Sequence, residues 1–183
     1  INQVSKAPHK TAEHKVSVSV GSQDYLEIKG DFNLPFGEAS GLRINVMDRD
    51  EANQRENPAN GDGPELHRKG LAANLGFNIG GRDEFSLQHV FTQTRDIPDF
   101  GVRFDPLTRR VNTLFPVNTF WGSENNFDDS DNHIGTLGHL HRFESGAKWK
   151  TQIRFADYER QYWAKTPSGT IAPSPTAGVG GNV

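Results

Sequence analysis

The 183-residue sequence predicts an all-β chain, an antiparallel transmembrane β-barrel, from three observations. Apolar residues recur with period two through about seven segments. After the first hairpin, the connections between these segments alternate between short and long. No run approaches the ~18 consecutive apolar residues that a membrane-crossing helix needs, whereas a barrel strand signals itself only by alternation over ~10 residues.

Composition fits this class. Hydrophobic residues make up 33% of the chain, with 19 Gly and 10 Pro, and mean hydropathy is -0.70. Such values suit strands with one wet face. The net charge of -3 gives no electrostatic footprint for nucleic acid. The absence of cysteine removes a secreted disulfide scaffold from consideration. The sequence starts at Ile1 and ends inside GTIAPSPTAGVGGNV, so it is expected to be a fragment of a longer protein.

The elements follow in order. INQVSKAP, residues 1–8, is an extended piece closed by proline. In residues 15–20, Val16, Val18 and Val20 alternate with Ser17 and Ser19. Gly21 to Asp24 carries turn chemistry. Residues 25–34 then set Leu26, Ile28, Phe32 and Leu34 against Glu27, Lys29, Asp31 and Asn33. After a tight connection at 35–41, Leu42, Ile44 and Val46 oppose Arg43, Asn45 and Met47. Residues 50–69 have no apolar period and are expected to form a long polar loop. Residues 70–79 and 85–92 form two further strands around a turn at Gly80-Gly81-Arg82-Asp83. A very long polar loop is expected over residues 96–132. Residues 134–143 and 147–163 complete the set, joined at Glu144-Ser145-Gly146. In the last strand Trp149, Thr151, Ile153 and Phe155 oppose Lys150, Gln152 and Arg154.

In an up-and-down sheet alternate connections emerge at the same end. After the first hairpin, all long loops therefore sit at one end and the tight turns at the other, as in outer-membrane barrels and unlike a Greek-key sandwich. Aromatics cluster near the tight turns (Phe32, Phe36, Phe77, Phe85, Phe143, Trp149) and toward the long loops (Tyr25, Phe91, Tyr158, Tyr162, Trp163). Two aromatic girdles are expected where a barrel meets both membrane interfaces. The charged parity suits a wide watery or plugged lumen, with Arg95, Lys150 and Arg154 expected to line it. His89 fits poorly, since it shares parity with Leu87 and Phe91.

Several motifs together resemble one family. INQVSKAP is similar to the last plug strand of TonB-dependent outer-membrane receptors, and VSVSVGSQDY (16–25) to the first barrel hairpin after it. DIPDFGV (96–102), PVNTFWG (116–122) and the Asp-rich approach to the next strand resemble ferric-siderophore receptors of the catecholate type. Members often carry Tyr where this chain has Phe100. The resemblance implies that residues 1–10 end a plug domain. Residues 11–183 would then begin a plugged barrel of about 22 strands in the bacterial outer membrane. It implies uptake of a ferric siderophore, energised by the inner-membrane TonB complex, beside outer-membrane lipid and lipopolysaccharide, with no cofactor of the protein's own.

A ferric catecholate is bulky, aromatic and anionic, so its site should offer cations and aromatic faces. Phe100, Arg103, Arg109, Arg110, Phe120 and Trp121 in the long loop are the candidates. NNFDDSDN (125–132) fails the EF-hand pattern, because the sixth position counted from Asp129 is Ile134 rather than Gly. His133, His139 and His141 share parity but lack an evident third ligand, so they are expected to be polar lumen residues and not a metal site. There is no cysteine nucleophile, G-x-S-x-G, phosphate-binding glycine loop or H-E-x-x-H, and no catalytic residue is expected. Two rivals are a passive porin-like channel, which needs no plug, and a soluble carbohydrate-binding β-domain, which would fold in water.

Overall fold

A computed structural model describes residues 6–103, 107–111, 115–123, 125–164 and 179–182. Eight strands form one antiparallel sheet in sequence order. They are β1 (Glu13–Val20), β2 (Leu26–Phe36), β3 (Ser40–Ala52), β4 (Glu65–Phe77), β5 (Asp83–Ile97), β6 (Phe127–Arg142), β7 (Lys148–Ala164) and β8 (Val179–Asn182). Tight turns join β2 to β3, β4 to β5 and β6 to β7. Gly37 (φ 59°) and Gly146 (φ 84°) supply the left-handed backbone two of them require. The wide connections, 53–64 and 98–126, leave from the opposite end; a third, 165–178, lies outside the described residues.

Register holds without a slip across each pair, so residue parity fixes the face. Ile28, Asp48 and Lys69 share one row of partners; Asp31, Asn45 and Ala72 share another. Below the wide-loop end, one face carries Val18, Ile28, Ile44, Leu71, Leu87, Leu137, Ile153 and Phe155. Val18 is 62% exposed, Ile153 67% and Phe155 73%. The buried hydrophobic side chains among the described residues are Phe120, Trp121 and Ala164, two in a loop and one at a strand end. A water-soluble sandwich or barrel buries one face of its sheet. This sheet leaves its apolar face bare, as a wall turned toward lipid does.

The strands run further toward the wide loops than alternation predicted. Residues 50–52, 65–69 and 127–132 pair as strand, where a loop was expected. Both faces are polar there. On the apolar parity Lys69 meets Asp48, and His67 meets Asp50 and Glu65. At about 3.3 Å per residue β7 is roughly 55 Å long, while ~10 tilted residues cross a bilayer. The outer third of each long strand stands clear of lipid, and its apolar period lapses for that reason.

The opposite face is polar, and residues 6–11 lie on it. Backbone carbonyls of this segment accept from side chains of three strands. Asn33 Nδ2 donates to His9 O and Thr11 O, both at 2.7 Å. Arg43 Nη1 donates to Ala7 O at 3.2 Å, and Asn74 Nδ2 to Lys6 O at 3.2 Å. Asn33 Oδ1 accepts the His9 N–H at 3.1 Å. Asp31 takes a bidentate pair from Arg43, both bonds 2.8 Å, and the Lys6 ammonium at 2.6 Å. Pro8 is seated on the paired glycines Gly41 and Gly76.

A Cβ at Gly76 would stand 2.7 Å from Pro8 Cγ, so Gly76→Val is expected to lift the segment, at a cost of about 1–3 kcal/mol for overpacking. Hydrogen exchange at the His9 amide checks this: exchange should accelerate, and an unchanged rate would mean that Pro8 does not hold the seat.

Candidate functional site

The wide-loop end carries the candidate site, and two loops build it together. Glu56 of the 53–64 loop forms a parallel bridge with Thr119 of the 98–126 loop. Its N–H donates to Asn118 O at 3.0 Å, and its carbonyl accepts from Phe120 N at 2.9 Å. Asn57 is fully buried at this junction. Its Nδ2 donates to Gly122 O at 3.0 Å and its Oδ1 accepts the Ala59 N–H at 2.9 Å. Gly122 is required here, because a Cβ would lie 2.0 Å from Phe120 Cζ. Lower down, Arg55 pairs with Asp99 at 3.1 Å, while Asp99 Oδ1 accepts the Gly101 N–H at 2.8 Å.

This architecture divides the six expected ligand contacts. Phe120 is 1% exposed and Trp121 6%; they form the apolar kernel of the loop and present no face to solvent. Phe115 packs edge-on against Trp121, with ring centroids 5.0 Å apart. Arg103 is also buried, its guanidinium 5.6 Å over the Trp121 ring. Among the described residues, its Nε and Nη1 have no hydrogen-bond partner. Phe100, Arg109 and Arg110 remain at the surface. Of the six candidate contacts, Arg103, Phe120 and Trp121 are buried in the loop, and Phe100, Arg109 and Arg110 are accessible.

The lumen expectation divides similarly. Lys150 and Arg154 lie on the polar parity, opposite Leu140 and Thr136. Arg95 does not. It shares parity with Phe91 and Leu87, on the apolar-face side, and binds Asp131 at 2.5 Å and Asp129 at 3.8 Å above the apolar band. An unbroken register from Asp83 to Asp96 fixes that face. His133, His139 and His141 also fall on this side and not in the lumen, and the poorly fitting His89 stacks on His133 with centroids 5.5 Å apart. Of the outer aromatic set, Tyr25 and Tyr162 lie on the polar parity beneath Arg49 and Arg160. Tyr158 does too, with its hydroxyl 3.3 Å from Arg154 Nη2. Only the girdle by the tight turns is complete on the apolar side.

The Asp-rich run at 127–132 is strand, and its carboxylates are engaged. Asp128 receives a bidentate pair from Arg160, at 2.8 and 2.7 Å. These residues occupy the end of β6 that stands above the membrane. There the Arg160 guanidinium holds the Asp128 carboxyl below its ordinary range, while burial pushes Asp129 up. Sequence reasoning missed Asn57. A lone Asn in a polar loop gives no signal of its own, since its importance depends on a partner loop far away in sequence.

No family model matches the chain. It is 29% identical over 142 residues to a probable TonB-dependent siderophore receptor, PiuA, of Acinetobacter baumannii, covering 75% of this chain and 19% of that protein. It is 24% identical over 173 residues to the catecholate siderophore receptor Fiu of Escherichia coli K12, covering 88% and 22%. The crystal structure of PiuA superposes with a TM-score of 0.75 at 24% identity, over 87% of this chain and 23% of that one. The open form of the ferric-catecholate import receptor Fiu superposes with a TM-score of 0.74 at 21% identity, over 87% and 25%. The chain spans about a fifth of the length of these curated relatives. It resembles the TonB-dependent siderophore receptors in sequence over most of its length, and its fold is that of a stretch of their barrel wall.

Proposed function

We propose that this chain is part of a TonB-dependent outer-membrane receptor that takes up a ferric siderophore, catecholate by preference, into the periplasm. Residues 1–10 are the end of its plug, of which 1–5 lie outside the described residues, and residues 11–183 begin its barrel. The supporting observation is the segment 6–11 docked on the polar face through Asn33, Arg43 and Asn74. A passive pore leaves such a face to water. Here the backbone carbonyls of residues 6–11 occupy it, as suits a lumen that is filled and not open. The bare apolar face weighs against a soluble carbohydrate-binding domain.

The transport cycle asks no bond-making of this chain and no cofactor; the ferric siderophore is cargo. Loop residues capture the complex on the outer side. The anionic cargo is drawn by cations and stacked on aromatic faces, for which Phe100, Arg109 and Arg110 are placed at the surface. Arg103, Phe120 and Trp121 hold that loop in shape from within. Below, Lys150 and Arg154 on the polar face continue a cationic path. Energy enters from the TonB complex through the plug, and lipopolysaccharide and phospholipid surround the wall.

Two measurements test this. Charge reversal at Arg109 and Arg110 together in the intact receptor is expected to weaken ferric catecholate binding about tenfold, equivalent to ~1.4 kcal/mol, read by quenching of intrinsic fluorescence; unchanged affinity would remove this loop from the ligand's path. In an iron-limited strain lacking the receptor, reintroduction should restore growth on purified catecholate siderophores. Restoration confined to a vitamin or a sugar would reject the cargo assignment.

A further inference from the structure

At the tight-turn end, away from the candidate site, three ligating side chains converge on the apolar side of the sheet. Asp83 opens β5, and His139 and His141 stand two residues apart on β6. The register pairs Asp83 with His141 and Phe85 with His139. Asp83 Oδ1 lies 2.9 Å from His139 Nε2 and 2.6 Å from His141 Nδ1. The three candidate ligand atoms all lie within 4.8 Å of one another.

The rings are held in place by their neighbours. Phe85 stacks on His139 with centroids 4.6 Å apart and planes 14° from parallel. Phe143 meets His141 edge-on at 4.5 Å. The two strands are tied by the Arg142–Glu84 ion pair at 2.7 Å on the other face. The imidazoles therefore have their rotamers and separation fixed before any ligand arrives, which lowers the ordering cost of binding. All three side chains are only partly covered, His139 34% exposed, His141 21% and Asp83 41%, and they lie where the turns leave the membrane, so an ion and its remaining waters reach them from the aqueous edge.

We propose that Asp83, His139 and His141 bind a divalent transition metal of the zinc class. The set of two imidazoles and one carboxylate is the right donor chemistry. Imidazole selects zinc, nickel, copper or cobalt over calcium and magnesium, which want several oxygen ligands. With metal–ligand bonds of about 2.1 Å, neighbouring ligand atoms lie ~3.0 Å apart at octahedral angles and ~3.4 Å at tetrahedral ones. The present 2.9 and 2.6 Å separations reach the first by a shift of a few tenths of an ångström, and the second by less than one.

Other histidines on this side lack the arrangement. His67 touches Asp50 and Glu65 through opposite ring nitrogens, so no single ion reaches all three. His89 and His133 approach each other at 3.4 Å inside the apolar band, and among the described residues no carboxylate joins them in a cluster. Sequence parity placed His139 and His141 together but assigned Asp83 to a turn, and the third ligand was missed for that reason. The inference depends on the fold and not on the transport reading. A bound ion would rivet β5 to β6 where their turns leave the membrane.

Isothermal titration of the intact, untagged protein in detergent with zinc chloride, after chelator stripping, tests the proposal. Wild type should bind one equivalent more than the His139→Asn/His141→Asn variant, and Asp83→Asn should bind that equivalent more weakly. The His89→Asn/His133→Asn variant should match wild type. Equal stoichiometry and affinity in wild type and the His139/His141 variant would overturn the site, as would loss confined to the His89/His133 variant. Heat-modifiable gel mobility reports whether each variant is folded. If the double variant does not fold, zinc-edge X-ray absorption on the wild-type complex decides: two imidazole nitrogens and oxygen at ~2.0–2.1 Å support the site, and a shell without imidazole scattering rejects it.

Discussion

The structure depends on a register that never slips. From β1 to β7 each strand pairs with the next over nearly its full length, with no slip inside any pair. A shift of a single residue in any strand would exchange its faces, exposing Asp31 or Arg154 to lipid and Ile153 to the lumen. Because burying a charge in hydrocarbon costs several kcal/mol, the alternation of side chains enforces the pairing, and the pairing gives each strand its two environments.

The polar face is more than a wet surface. Asn33 has no exposure at all, which is unusual for Asn unless every polar atom is matched. It is matched by the backbone of residues 9–11. Asp31, Arg43 and Lys6 form a compact charge triad beside it, and Gly41 with Gly76 leaves room for Pro8. Hydrogen bonds of this kind are worth about 1 kcal/mol each net, but a buried carbonyl left without a donor costs about 1–3 kcal/mol. The segment is therefore held by the cost of leaving as much as by the gain of staying.

Legibility in the sequence followed the physics of each region. Where lipid faces one side, Val16-Ser17-Val18-Ser19-Val20 and the Lys148–Phe155 run announce both strand and face. Where a strand rises past the membrane, as at Asp50–Ala52, Glu65–Lys69 and Phe127–Asn132, water bathes both faces and the period disappears, so these were expected as loop. β8, Val179–Asn182, was hidden for a related reason, since Val-Gly-Gly-Asn has no alternation to read. Arg95 sits just where the period lapses and was given the wrong face; Gln93 and Phe91 on its own parity would have placed it. Aromatic loop residues read as ligand contacts proved to be loop core at Phe120 and Trp121. The backbone around them is tied to Asn57 and Glu56 of a different loop, a contact that no local pattern contains.

The central claim is that one face of this sheet meets lipid while the other meets a filled, polar interior. A nitroxide scan of β7 from residue 149 to 158 in the intact protein, reconstituted in bilayers, tests it directly. Accessibility to oxygen should peak at 149, 151, 153 and 155, and accessibility to a water-soluble nickel complex should not follow it on that parity. Labels at 150, 152 and 154 should show little oxygen contact. Equal oxygen accessibility on both parities, or nickel access matching that of a surface loop at 153 and 155, would contradict the account.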